Sequence, residues 1–247
     1  MIFAAKTDMG LRRTNNEDTL YSGNIHGWNL FIVADGVGGR NAGEVASHIA
    51  VDCVVEYLTL FESMEEPTCD MKDVLKQAMK LANDKVFNIA TKNEEYSGMG
   101  TTMSALLTKD EIMVLGHVGD SRIYFFRDGE LEQLTLDHSF VADLFRTGVI
   151  TKEEAKIHPK KNYIYRSLGN EKEVDVDILC KEFKINDKIM LCSDGISDQI
   201  EDDEIQDIFL RGNDPETSIK TIIQLVLERG GLDNISAIII HNVEGDA

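Results

Sequence analysis

The 247-residue chain lacks any apolar run approaching the roughly 18 residues of a membrane-spanning helix. Its first residues, Met1-Ile2-Phe3-Ala4-Ala5-Lys6-Thr7-Asp8, have neither the length nor the charge order of a signal peptide. A cytoplasmic protein without membrane insertion is therefore expected. Cysteine is scarce: Cys53, Cys69, Cys180 and Cys192 are scattered, with no C-x-x-C pair and no histidine at zinc-finger spacing. This excludes a disulfide scaffold and a thiolate zinc cage, and mostly buried free thiols are expected. Only three prolines occur, Pro67, Pro159 and Pro215. With no Pro/Gly/Ser-rich linker, repeat or low-complexity stretch to mark a boundary, residues 1–247 read as one domain. Basic charge is also short, with 25 Lys and Arg against 44 Asp and Glu and a net charge of −19. The cationic footprint of a nucleic-acid partner is missing. An anionic substrate would need local positive charge from elsewhere, and bound cations can supply it.

What is present reads as alternating groups of strands and helices. Ile2 to Thr7, Thr19 to Gly23 and Trp28 to Ala34 are predicted strands, the last apolar enough to be buried on both faces. Helical spacing follows in Glu44 to Leu58 and Met71 to Ala90. Thr102 to Leu107, Glu111 to Val118, Ser121 to Phe126 and Leu131 to Leu134 are short strands separated by turn residues, which suggests one antiparallel meander. His138 to Gly169 is a polar surface excursion with helical pieces at Val141 to Phe145 and Lys152 to Lys156. Strands at Val174 to Phe183 and Lys188 to Cys192, helices at Asp202 to Leu210 and Glu216 to Glu228, and a last strand at Ile235 to Ile240 complete the chain. The pattern suggests two sheets packed face to face and covered by helices.

Five segments place an acid where a strand is expected to give way to a turn: Arg13-Thr14-Asn15-Asn16-Glu17-Asp18, Val33-Ala34-Asp35-Gly36-Val37-Gly38-Gly39, Val118-Gly119-Asp120-Ser121-Arg122, Cys192-Ser193-Asp194-Gly195-Ile196-Ser197-Asp198 and Gly231-Leu232-Asp233-Asn234-Ile235-Ser236. A single Asp-Gly is ordinarily just a turn. Five such segments imply more. If they converge, Glu17, Asp18, Asp35, Asp194 and Asp233 crowd like charges that cannot all stay ionised without compensation. Hard oxygen donors with no thiolate or imidazole among them call for Mg²⁺ or Mn²⁺ rather than zinc. Two such ions roughly 3.5–4 Å apart can activate a shared water for attack on phosphorus. Arg13 offers a guanidinium fork suited to phosphate.

Taken together and in order, from Thr7-Asp8-Met9-Gly10 to Asp233-Asn234-Ile235-Ser236, these segments resemble the metal-dependent serine/threonine protein phosphatases of the type 2C class (PPM family), compact bacterial subgroup. The resemblance implies an α+β fold, a four-layer αββα sandwich of two antiparallel β-sheets flanked by paired antiparallel helices. It implies hydrolysis of phosphoserine and phosphothreonine in proteins with two Mn²⁺ or Mg²⁺ ions, and a monomer that opposes a Ser/Thr protein kinase. By position, Asp35 corresponds to the bridging carboxylate, Asp194 and Asp233 to further ligands of one ion, and Glu17 with the Gly36 carbonyl to ligands of the other. Asp18 would orient a metal-bound water and Arg13 bind phosphate, with Arg12 a solvated neighbour. Asp120 and Asp198, with Asp194, correspond to a third metal site in bacterial members. The excursion at about 138–169 corresponds to a flap beside the site. Val37 stands where many eukaryotic members carry a histidine acid, which leaves the general acid to metal-bound water. Lys161 stands where arginine is more usual.

Two other functions fit the same residues: a phosphomonoesterase for a small phosphometabolite on this scaffold, and a non-catalytic regulatory module. The second would be marked by loss of Asp35, Asp194 or Asp233, and all three are present. Gly36-Val37-Gly38-Gly39 fails as a nucleotide loop because Asn41 occupies the sixth position, and no P-loop motif occurs. Gly100-Thr101-Thr102 either packs the metal cleft or simply enters a strand. His117 and His138 are expected to be structural, while His26, His48, His158 and His241 carry no special signal. Asp137 and Asp143 are expected to be solvated flap charges.

Overall fold

The computed structural model describes residues 1–38, 42–61, 71–212 and 214–244. In chain order the elements are β1 (Ile2–Asp8), β2 (Asp18–Ile25), β3 (Trp28–Val37), α1 (Ala42–Phe61), α2 (Met71–Lys92), a 3₁₀ turn (Glu94–Tyr96), β4 (Gly100–Thr101), β5 (Met103–Lys109), β6 (Ile112–Val118), β7 (Arg122–Arg127), β8 (Glu130–Gln133), α3 (Phe140–Arg146), α4 (Lys152–Ile157), β9 (Asp177–Glu182), β10 (Lys188–Cys192), α5 (Asp194–Ser197), α6 (Asp202–Arg211), α7 (Pro215–Glu228) and β11 (Ile235–His241). One antiparallel sheet runs β1-β11-β10-β7-β8. The other runs β2-β3-β5-β6-β9, with β4 added to the end of β3.

Strand periodicity explains the layering, because successive side chains point to opposite faces. In β3, Leu30, Ile32 and Ala34 pack against α1 and α2, while Phe31 and Val33 meet the other sheet. In β11, Ile235, Ala237 and Ile239 pack with α6 and α7, and Ile238 and Ile240 face inward between the sheets. Three apolar layers result, helix on sheet, sheet on sheet, and sheet on helix, so the expected αββα sandwich is the observed one. Each fully buried Ile, Leu or Val side chain contributes about 1.5–3 kcal/mol, which is why both-face burial of β3 and β11 fixes their register.

Four expectations about the fold are corrected. The strands between Thr102 and Leu134 are not one meander: β5 and β6 belong to one sheet, β7 and β8 to the other. The chain crosses between sheets at Gly119, whose φ of 113° and close approach to Thr102, 2.5 Å from where a Cβ would lie, only glycine accommodates. A turn signal alone does not distinguish a hairpin from such a crossing. Asp35-Gly36 does not end a strand either; β3 runs through it and pairs Gly36 with Thr101. Asp194-Gly195 opens the short helix α5 rather than a plain turn. Among the cysteines, Cys192 is buried, Cys53 half-buried and Cys180 exposed, so only part of the set is sequestered; Cys69 lies outside the described residues.

The excursion after β8 is tied down at its base and open beyond it. His138 N–H donates to the Gly119 carbonyl at 2.8 Å, Tyr165 N–H to the His138 carbonyl at 3.0 Å, and Thr101 and Leu168 form a bridge. Ser139 caps α3, and Thr151 with Glu154 forms a capping box on α4. Lys152 and Lys156 reach Glu201, and Lys161 Nζ lies 3.1 Å from Asp198 Oδ2.

Candidate metal centre and active site

The acids gather because the strands that carry them end on one side of the sandwich. Asp18 and Asp35 are cross-strand partners in β2 and β3. Ser193, after β10, donates its N–H to the Ser236 carbonyl of β11 at 3.0 Å, and this brings Asp194 beside Asp233. The backbone around Asp35 is clamped: its N–H donates to Thr102 Oγ1 at 3.0 Å, and its carbonyl accepts from Thr102 N–H at 2.8 Å and Thr101 Oγ1 at 2.9 Å. Thr101 and Thr102 therefore pack the cleft rather than merely entering a strand.

Close approach of backbones makes the cradle. A Cβ on Gly43, in the first turn of α1, would lie 2.6 Å from Glu17 Oε2 and 2.7 Å from the Gly36 carbonyl oxygen. These two oxygens thus face the same small space. On the opposite wall, a Cβ on Gly195 would lie 1.9 Å from the Asn234 carbonyl, and one on Gly10 2.2 Å from the Asp233 carbonyl.

The carboxyls perturb one another strongly. Burial, with Asp198 and Asp233 nearby, pushes the Asp194 carboxyl up to about 7. Burial pushes Asp18 up to about 6 against the stabilising Ser236 and Ser193 hydrogen bonds. Asp35 is raised well above the usual carboxylate range by burial and then by Asp18, Asp194 and Asp120. Asp120 is raised likewise by burial and by Asp194, Asp137 and Asp198, and Glu17 is raised chiefly by burial. Asp18 Oδ1, Asp120 Oδ1 and Asp194 Oδ1 are buried with no hydrogen-bond partner. Orphaned anionic oxygens of this kind are costly unless a cation satisfies them. An all-oxygen donor set with raised carboxyls fits hard divalent cations. Among the described residues, no three His, Cys, Asp or Glu side chains stand as a finished metal cage; several of the acids are engaged by neighbours. Arg13 Nη2 donates to Asp233 Oδ2 at 2.7 Å, Ser193 Oγ to Asp18 Oδ2 at 2.9 Å, and Lys161 to Asp198.

Arg13 is itself held protonated, first by its hydrogen bond to Asp233. It stands with the exposed Arg12 at the mouth of a cleft of about 370 Å³ that also touches Asp194, Asp198 and Asp233. A ring of acids with a guanidinium at the entrance suits capture of a phosphoryl group. The sequence matches the family model for Protein phosphatase 2C over residues 12–215. The chain belongs to the protein phosphatase 2C family.

Relatives within the family support that membership along the whole chain. The protein phosphatase PhpP of Streptococcus pneumoniae serotype 2 is 35% identical over 243 residues, covering 98% of this chain and 97% of the relative. The serine/threonine protein phosphatase PstP of Mycobacterium tuberculosis is 37% identical over 244 residues, covering 99% of this chain; the chain spans only 45% of that protein's length. The crystal structure of the PstP catalytic domain in complex with two manganese ions superposes with a TM-score of 0.86 at 36% identity, covering 98% of each chain.

Within this protein phosphatase 2C site, sequence reasoning overlooked several supports. Asn234 Oδ1 accepts from Glu17 N–H at 2.9 Å, while its Nδ2 donates to the Met9 and Asn15 carbonyls at 3.0 and 2.9 Å. One side chain thereby ties the loop bearing Arg13 and Glu17 to the turn bearing Asp233 just before β11. Gly43 and Ser193 had no role assigned either, although the small residue and the hydroxyl each stand in an acidic neighbourhood. Asp137 is corrected: it is not a solvated flap charge but accepts from Arg122 Nε and Nη2 at 3.0 and 2.7 Å, its side chain only 12% exposed. Asp143 does lie at the surface, paired with Arg146. His117 and His138 are structural, the first buried between Ser104 and the Leu136 carbonyl, the second accepting Gly119 N–H and reaching Asp177.

Proposed function

We propose that this chain hydrolyses phosphoserine and phosphothreonine in proteins, using two divalent cations, Mn²⁺ or Mg²⁺. The observation that carries the reading is the assembly of Asp18, Asp35, Asp120, Asp194 and Asp233, three of them with buried unpartnered oxygens, beside Arg13. Membership of the protein phosphatase 2C family and the two manganese ions of the PstP relative favour it. Asp35 is assigned between both ions, Asp194 and Asp233 to one, and Glu17 with the Gly36 carbonyl to the other, since those two oxygens flank the space at Gly43. Asp120, Asp194 and Asp198 are assigned to a third. Bound there, the cations neutralise phosphoryl charge and acidify water.

The protein's own contributions follow from its geometry. Arg13 releases Asp233 as substrate enters and forks onto the phosphate oxygens, which positions phosphorus over the carboxylate floor. Asp18, fixed by Ser193 on one oxygen, keeps its other oxygen free to accept a proton from the attacking water. Residues 1–247 act as one catalytic domain with the flap at 138–169. As finer parts of the same proposal, the protein works in the cytoplasm as a monomer opposite a Ser/Thr protein kinase. No helix among the described residues is long and apolar enough to cross a membrane.

Purified protein with Mn²⁺ is expected to release phosphate from a phosphothreonine peptide. Asp35→Asn and Asp194→Asn should each lower the rate at least about 100-fold while circular dichroism stays unchanged. Wild-type protein that releases nothing with either metal would overturn the reading.

A further inference from the structure

A cavity of about 570 Å³ lies beneath the flap, between α3 and α4 above and Arg122 with the start of α6 below. We propose that it is a subsite for the substrate protein, taking a large apolar side chain from the residue next to the phosphorylated one. This rests on the phosphatase reading and adds a specificity determinant to it.

The flap helices show why the space exists. Neither α3 nor α4 has a fully buried residue, although each carries apolar side chains on the face that lines the cavity. Val141, Ala142 and Ala155 are only half-buried there, and Phe145 is 50% exposed. Leu136, at the edge, is 57% exposed, while Ile200 closes the floor. The flap is held by backbone bonds at its base and by lysine ion pairs at its rim, so its apolar underside is left without a packing partner. A volume of this size matches ordinary ligand cavities, which run from roughly 300 to 1,000 Å³.

The charges around the cavity decide the chemistry of the guest. Arg122 is paired with Asp137, Arg146 with Asp143, Lys156 with Glu201 and Lys161 with Asp198. A charged guest would find these groups already satisfied and would lose hydration without compensation. A neutral apolar one gains the exposed faces of Val141, Phe145 and Leu136. Asp120 and Asp194, at the inner end, belong to the metal centre described above.

Continuity with the cleft identifies the guest as part of the substrate. Lys161, Asp194 and Asp198 line both the cavity and the cleft that holds Arg13 and Asp233. A phosphate placed at Arg13 and Asp194 therefore leaves its polypeptide at the cavity's entrance. Because an extended chain advances at most about 3.3–3.6 Å per residue, the side chain that enters comes from an adjacent position.

The test uses the 247-residue chain with Mn²⁺ and phosphothreonine peptides that differ only in carrying Phe, Ala or Asp beside the phosphothreonine, on each side in turn. The Phe peptide on one side is expected to exceed the Asp peptide about tenfold in kcat/KM, mostly through KM, as for a hydrophobic pocket. Ala142→Phe, which fills the cavity, should bring that ratio to within about twofold, and Phe145→Ala, which strips a wall at an exposed position, should lower it as well. Equal rates on all peptides, a preference carried by kcat alone, or a preference that survives both substitutions would overturn the subsite and leave the phosphatase reading intact. Failure to hydrolyse any peptide would overturn both.

Discussion

Gly43 shows how much of this site depends on a side chain being missing. In the first turn of a helix, Gly→Ala ordinarily adds stability. Here the new methyl would meet Glu17 Oε2 and the Gly36 carbonyl carbon and oxygen at 2.6–2.7 Å, so the fold should survive while the oxygens are pushed out of place. Gly43→Ala is expected to weaken Mn²⁺ binding tenfold or more on the order of other near-ligand changes, read by titration calorimetry. Asn234→Ala takes away three hydrogen bonds at once and leaves Glu17 N–H and two carbonyls wanting partners. A loss of about 2–3 kcal/mol in urea unfolding is expected. The acids themselves were legible in the sequence because an acid after an apolar strand is conspicuous. Asn234 stood within one of those segments, yet its partners lie 217 to 225 residues away, and no local pattern can express such a contact.

At the scale of a strand, β6 carries a pH-sensitive group in His117. Its Nε2 faces the Leu136 carbonyl, which can only accept, so the neutral ring keeps its proton there and Nδ1 accepts from Ser104 Oγ. Burial, then the neighbouring His138, lowers its pKa to about 3 from 6.5. A base whose folded pKa is depressed stabilises the fold fully above its unfolded pKa, and that contribution is lost as pH falls from about 6.5 toward 3. His117→Asn should therefore flatten the acid limb of the melting temperature between pH 6.5 and 4, measured by scanning calorimetry with wild type alongside; an unchanged slope would contradict it. The same strand marks where the sequence stops informing. The alternation in β3 and the helical stripes of α1 and α2 were readable because burial imposes them locally. The division of β5–β8 between two sheets was not, since β6 finds β9 and β7 finds β10 only through distant pairing. Nor was the passage of β3 through Asp35-Gly36, which depends on β4 arriving some 65 residues later.

Over the whole molecule, charge is unevenly distributed. Between His138 and Gly169 the chain carries six Lys and Arg against three Asp and Glu, in a protein of net charge −19. The flap is thus a cationic piece resting on an anionic body, and Lys152, Lys156 and Lys161 make the contacts. Their side chains are 44–50% exposed, so each pair is worth at most about 1 kcal/mol and is screened by salt. Raising NaCl from about 0.05 to about 0.5 M should speed amide exchange across 152–161 while leaving β3 and β11 protected; equal protection in both salts would show that something other than charge holds the flap.

The first and last strands are also neighbours: β1 pairs with β11 along its whole length, and β11 pairs with β10 on its other side. Glu17 and Asp18 leave the ribosome long before Asp233 and the strand that aligns Asp194. A nascent polypeptide still short of β11 would carry Glu17, Asp18, Asp35 and Asp194 without the strand that sets them in register. The acidic cluster is therefore complete only once β11 has been made and has docked between β1 and β10.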